Sequence, residues 1–184
     1  MKKREITFEM VTTKGGDMGE TSLYNGERRR KDDLVMEVVG DLDELGAFLG
    51  VARAELFSAG KKQESDTIIE IQKTLFVIGG EVATPENDKL FKNISRMTEK
   101  HILFLEKEEK RLLKTTTIKP VFVTAGENSV SASVDVGRAV CRRAERHIVS
   151  LIRERGFTYL ATGQRYLNRL SDLLFILARS LETL

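Results

Sequence analysis

From residue 33 onward, apolar side chains recur every three or four positions in five long stretches, 33–57, 63–83, 97–113, 129–155 and 158–181. That repeat lays one apolar stripe along an α-helix. Turn and breaker residues separate the stretches: Ser58-Ala59-Gly60, Thr84-Pro85-Glu86-Asn87-Asp88, Ile118-Lys119-Pro120 and Arg155-Gly156. Asp32-Asp33, then Ser95 or Thr98, then Asn128 or Ser129 supply N-caps for the first, third and fourth helices. Residues 1–32 are rich in Gly, Thr, Lys and Arg and carry no helical period. The pattern predicts an all-α, up-and-down five-helix bundle over 33–182, preceded by an irregular arm over 1–32, together forming one domain across 1–184.

The helix faces carry more than their existence. On the first helix Val38, Leu42, Leu45, Leu49, Ala52 and Leu56 share one stripe, and Asp43 stands roughly opposite with Gly40, Ala47, Gly50 and Ala54. Glycine in a helix costs about 0.5–1 kcal/mol against alanine. These small residues point to a backbone or ligand in close approach, or to ordinary packing within the chain. On the fourth helix Val130, Val134, Cys141, Ala144, Ile148, Leu151 and Ile152 form the apolar side, while Arg138, Arg142, Arg146 and Arg153 line the other, with Glu145 at their edge. Like charges at i, i+4 cost about 0.2–0.5 kcal/mol per pair. Such a stripe is a solvated basic face, or it meets a polyanion or a neighbouring chain's carboxylate, which guanidinium binds bidentately. The fifth helix buries Leu167, Leu170, Leu174, Leu177 and Leu181, and Asn168, Asp172 and Arg179 on another side read as a buried polar network.

Composition narrows the chemistry. In 184 residues, 30 Lys+Arg against 28 Asp+Glu give a formal charge of +2, too even for a chain that coats nucleic acid. One cysteine excludes an internal disulfide framework and a multi-cysteine zinc site. Cys141 lies on an apolar face and reads as a core residue. Neither His101 nor His147 follows a Glu by three positions, so the ferritin-like di-iron pattern is absent; both read as surface residues. No apolar run suits a signal peptide or a membrane span, and the expected location is cytoplasmic.

The arm contains Thr13-Lys14-Gly15-Gly16-Asp17-Met18-Gly19-Glu20-Thr21-Ser22. Glycines with hydroxyls and a lysine can wrap backbone N–H groups around phosphate oxygens, though a mobile tail has the same composition. No Gly-Lys-Ser/Thr follows, so this is not a Walker A loop. The segment resembles the nucleotide loop, TKxGDxGxT, of the PduO-type ATP:cob(I)alamin adenosyltransferases. Gly26-Glu27-Arg28-Arg29-Arg30-Lys31-Asp32-Asp33 and Asp43-Glu44-Leu45 are similar to that family too. Arg138-Ala139-Val140-Cys141-Arg142-Arg143-Ala144-Glu145-Arg146 matches its RxxxRRAER segment, and Leu167-Asn168-Arg169-Leu170-Ser171-Asp172 with Ala178-Arg179 matches its NRLSD…AR helix. The matches run in the family's order across roughly 12–180.

The resemblance implies a homotrimer with ATP between adjacent subunits. It implies transfer of the 5′-deoxyadenosyl group of ATP to the cobalt of cob(I)alamin, giving adenosylcobalamin and triphosphate. Thr13, Lys14, Gly15, Gly16, Thr21, Ser22 and Lys31 would cradle ATP, with Asp17 ordering the loop or holding Mg²⁺ through water. Arg142, Glu145, Arg146 and Asn168 would complete that site, with Arg143 adjacent. Asp43 would pair across the interface with Arg138. Phe122 would sit beneath the corrin ring and displace the lower axial ligand. Mg²⁺ would arrive mainly on ATP, and an electron-donating reductase and a B12-dependent enzyme are the implied partners.

The chain departs from the family pattern on the corrinoid side. Where F-x-L-P-G-G is expected, it reads Phe122-Val123-Thr124-Ala125-Gly126-Glu127, and Asp135 and Gly137 replace the more usual histidine and alanine. It stops at Leu184, where many relatives continue with a tail. The alternative implied by these departures is a noncatalytic relative that binds ATP or a corrinoid as a sensor or carrier.

Overall fold

The computed structural model describes residues 6–182; the basic start at Met1–Arg4 and the end at Leu184 lie outside the described residues. The arm holds a one-turn helix α1 (Phe8–Val11) and an antiparallel hairpin, β1 (Glu20–Ser22) on β2 (Arg28–Arg30), with Thr21 opposite Arg29. Five long helices follow: α2 (Leu34–Ser58), α3 (Lys62–Val82), α4 (Glu99–Leu113), α5 (Ser129–Arg155) and α6 (Ala161–Ser180). Short 3₁₀ turns at Lys89–Lys92 and Thr158–Leu160 fill the connections. The bundle is the all-α fold expected. The arm is more regular than its sequence suggests, because three-residue strands show no readable alternation.

Helix ends follow their caps. Asp33 Oδ1 accepts from the Val35 N–H at 2.9 Å and starts α2. Asn128 Oδ1 accepts from Ser131 N–H at 2.9 Å and starts α5, while its Nδ2 donates to Leu181 O at 2.7 Å, tying that start to the end of α6. At α4 the Thr98 N–H donates to His101 Nδ1 at 3.0 Å. His101 is therefore a half-buried capping residue, a correction to its reading as plain surface. Gly156 ends α5 at φ 72°, a left-handed conformation that costs glycine least.

The helices alternate in direction. Side-chain pairs between α2 and α5 run Asp33 with Arg155, Asp41 with His147, and Glu55 with Ser133, which is antiparallel. Between α5 and α6 they run Glu145 with Asn168 and Asp135 with Arg179, also antiparallel. Leu45, Leu49 and Leu56 of α2, Ile68, Ile71 and Ile78 of α3, Ile148 and Leu151 of α5 and Leu167, Leu170 and Leu174 of α6 are fully buried together. Each such side chain stabilises the fold by about 1.5–3 kcal/mol relative to exposure. At Gly137 a Cβ would meet Leu49 Cδ2 at 3.1 Å, so α2 and α5 approach closely there. Among the described residues, no helix is long and apolar enough to cross a membrane.

Candidate functional site

The arm folds back on itself through its own side chains. Arg28 Nη2 donates to Gly15 O at 2.9 Å, and the Lys31 N–H donates to Gly19 O at 2.8 Å. These bonds pin the glycine loop onto the hairpin. Lys14 adopts φ 56°, and the Gly15 N–H points at Thr13 Oγ1, 3.4 Å away. Lys31 lies across Gly16: a Cβ there would stand 3.1 Å from its Nζ. Lys14 and Lys31 thus flank a loop of small residues, and among the described residues neither has a carboxylate within ion-pair distance. Thr13, Lys14, Gly15 and Asp17 are exposed, Thr21 is half-buried on β1, and Ser22 Oγ accepts from Arg28 Nη1 at 3.4 Å.

On the bundle the structure divides the predicted helix residues. Glu145 and Asn168 come together, Asn168 Nδ2 donating to Glu145 Oε1 at 3.1 Å. Arg142 and Arg146 point outward; Arg146 Nη1 donates to the Arg142 carbonyl at 3.1 Å, and among the described residues neither guanidinium is ion-paired. Arg138 and Arg142 line a groove of about 280 Å³ between α5 and α6, walled by Ser171, Asp172 and Phe175 and capped by Ile118 of the α4–α5 connection. Asp43 is exposed on α2, and Gly40, Ala47 and Ala54 beside it are exposed too. Packing within one chain therefore does not account for those small residues.

Three expectations change. The arginines of α5 are not one uncompensated stripe: Arg138 Nε donates to Asp135 Oδ1 at 2.8 Å, and Arg153 pairs with Glu154. Asn168, Asp172 and Arg179 are not one buried network, since only Arg179 is buried; it pairs with Asp135, while Asp172 pairs with Arg169 at 2.9 Å. His147 is no plain surface residue, because its Nδ1 lies 2.6 Å from Oδ2 of the buried Asp41.

Asp41 and Asp135 are the anchors that sequence reasoning missed. Arg143 Nε donates to Asp41 Oδ1 at 2.7 Å, and its Nη2 bonds Glu44, so Arg143 clamps α5 to α2. The available signal was a carboxylate at a core position: Asp41 follows Val38 by three residues and precedes Leu45 by four, which places it on the apolar stripe.

Cys141 is buried, and its thiol meets Leu167 O at 3.3 Å. Burial holds that thiol far above its usual pKa, which suits a core residue and not a nucleophile. Phe122 is fully exposed in the α4–α5 connection, beside exposed Val121, and Gly126 nearby adopts φ 110°. Among the described residues, no side-chain hydrogen bond or ion pair joins residues 6–32 directly to α5 or α6, although Asp33 at the start of α2 pairs with both Arg29 of β2 and Arg155 of α5. On a single copy the two halves of the predicted nucleotide site are joined by no such direct contact among the described residues.

Comparison with known proteins gives a family. Residues 11–181 match the family model described as cobalamin adenosyltransferase. The corrinoid adenosyltransferase of Citrobacter freundii is 38% identical over 173 residues, covering 94% of this chain and 95% of that protein. The human corrinoid adenosyltransferase MMAB is 39% identical over 171 residues, covering 92% and 67% respectively. Among solved structures, a variant PduO-type ATP:corrinoid adenosyltransferase from Lactobacillus reuteri, complexed with cobalamin and ATP, superposes with a TM-score of 0.81. It is 27% identical and covers 94% of this chain and 93% of its own.

Proposed function

The chain belongs to the cobalamin adenosyltransferase family, and on that premise we propose that its nucleotide site is assembled between neighbouring copies in a homotrimer. The enzyme is an ATP:corrinoid adenosyltransferase, with ATP and a reduced corrinoid as its substrates. It transfers the 5′-deoxyadenosyl group of ATP to cobalt, forming the Co–C5′ bond as the C5′–O bond breaks; the electron pair of that bond leaves with triphosphate.

Reduced cobalt is itself a strong nucleophile, so the protein's tasks are positioning and charge neutralisation. In this proposal Thr13, Lys14, Gly15, Gly16, Thr21, Ser22 and Lys31 of one copy hold the phosphates. Arg142, Arg146 and the Glu145–Asn168 pair of the next copy close over the nucleotide. Asp43 meets Arg138 across the same interface, and Phe122 covers the lower face of the corrin. Arg143, spent on Asp41 and Glu44, supports Arg142 from behind. Mg²⁺ would come on the triphosphate, and Asp17 would reach it through water. The arm and bundle act as one domain, a reductase supplies electrons, and a B12-dependent enzyme takes the product. A cytoplasmic setting, rich in ATP and reductant, suits this chemistry.

The observation that carries the reading is that, among the described residues of one copy, two sets of cationic side chains have no ion-pair partner and no direct polar contact with each other. Lys14 and Lys31 flank the arm loop, while Arg142 and Arg146 stand on the outward face of α5. Sedimentation with and without Mg-ATP tests it. A trimer binding about three nucleotides per assembly supports the arrangement; a monomer that binds ATP with undiminished affinity contradicts it.

A further inference from the structure

We propose that Asp135 is a positioning residue, which aims Arg138 into the groove between α5 and α6, and that buried Arg179 holds Asp135 to that task. The inference rests on the function proposed above, in which Arg138 faces Asp43 of a neighbouring copy. Asp135 is only 4% exposed. Its Oδ1 accepts from Arg138 Nε at 2.8 Å, and its Oδ2 accepts from Arg179 Nη2. Arg179 is itself buried, with Nε 2.8 Å from Glu182 Oε1 and its guanidinium 5.3 Å from the Phe175 ring. The carboxylate is thereby fixed on both sides.

An arginine held at Nε keeps both terminal amino groups in one plane and free for a second carboxylate. Arg138 is the member of this relay that reaches solvent, and it does so where the groove opens beside Arg142 and Asp172. Without Asp135, repulsion from Arg142 four residues on would turn Arg138 away, and Arg179 would be buried without its principal counter-charge.

The test is a double-mutant cycle, with turnover and melting temperature read on each protein. Asp135→Asn should lower kcat about tenfold, the worth of one charge-assisted hydrogen bond, and should lower the melting temperature because Arg179 loses its partner. In an Arg138→Gln background the same substitution should lower the melting temperature similarly and leave turnover unchanged. An equal further loss of turnover in that background, or full turnover in folded Asp135→Asn, overturns the proposal. Should Asp135→Asn fail to fold, Asp135→Glu keeps the charge beside Arg179 while displacing the carboxylate. It should lower kcat about threefold at unchanged KM for ATP, and unchanged kcat overturns the proposal. An inactive wild type contradicts the enzymatic reading and takes this inference with it. An active wild type with uncoupled variants contradicts only the role of Asp135.

Discussion

Arg143 and Asp41 lock α5 onto α2: the guanidinium Nε donates across 2.7 Å to a carboxylate that is only 6% exposed. The same carboxylate takes His147 on its other oxygen, so a single buried charge on α2 sets the register of α5. Arg142 and Arg146 flank Arg143 in sequence and are aimed outward by that register.

Arg143→Met should therefore act on stability before it acts on nucleotide binding. Breaking a buried pair costs several kcal/mol, and with Arg143 itself 36% exposed a loss of about 2 kcal/mol is expected. Urea unfolding measures it. At temperatures where the variant is folded, its affinity for ATP should stay within about threefold of wild type, which is under 1 kcal/mol.

Glu109 predicts a pH dependence. Burial pushes its carboxyl up from the ordinary 4.5 to about 7, with Asp172 and Glu106 adding to the rise and Arg169 and Lys110 opposing it. Its Oε1 is buried without a hydrogen-bond partner. A raised acid favours the protonated fold, so its stabilising contribution is complete below pH 4.5 and is lost as pH climbs through 7. Because the group is partly solvated, about 1 kcal/mol is the expected size. Glu109→Gln should be more stable than wild type at pH 8 and equal to it near pH 4.5, by urea melts at both.

Arg146→Ala tests the outward face of α5. The side chain is exposed, and its one hydrogen bond among the described residues is to the Arg142 carbonyl, so the melting temperature should hold. Affinity for Mg-ATP should fall by about ten- to a hundredfold, the worth of a charge-assisted contact to phosphate. Scanning calorimetry reads the melting temperature and calorimetric titration the affinity, and unchanged affinity would remove α5 from the nucleotide site.

Phe122→Ala separates folding from function on the corrinoid side. Phe122 has no packing to lose within its own chain, so stability should change by less than about 0.5 kcal/mol. Adenosyl transfer should fall at least about tenfold if the ring excludes water and axial ligands from cobalt. ATP affinity should not move.

The sequence made the helices legible because each carries an unbroken apolar stripe and a recognisable stop. The predicted 129–155 coincides with α5, and the first, second and third helices shift by only one or two residues at their ends. The fifth begins as a 3₁₀ turn at Thr158–Leu160 before α6, a difference that periodicity does not resolve. The hairpin in the arm escaped because its order comes from Arg28 reaching Gly15 and from Lys31 reaching Gly19, not from an apolar face. The roles proposed for Arg142, Arg146 and the glycine loop come from motif resemblance. The roles of Asp41 and Asp135 were not, because each depends on the register of one helix against another, which spacing along a single helix does not contain.

The departures at Ala125 and Glu127 fall in the exposed α4–α5 connection. Of the other two, Asp135 bonds Arg138 and Gly137 stands against Leu49. None of these departures falls within the glycine loop over Thr13–Ser22.

Transfer to cobalt is therefore the step to measure, by anaerobic optical assay of the full chain with Mg-ATP and chemically reduced cobalamin. The expected result is a light-sensitive adenosylcobalamin spectrum that appears in step with triphosphate release. Saturable ATP binding with no such spectrum would contradict the enzymatic reading and leave a protein that holds its nucleotide without transferring it.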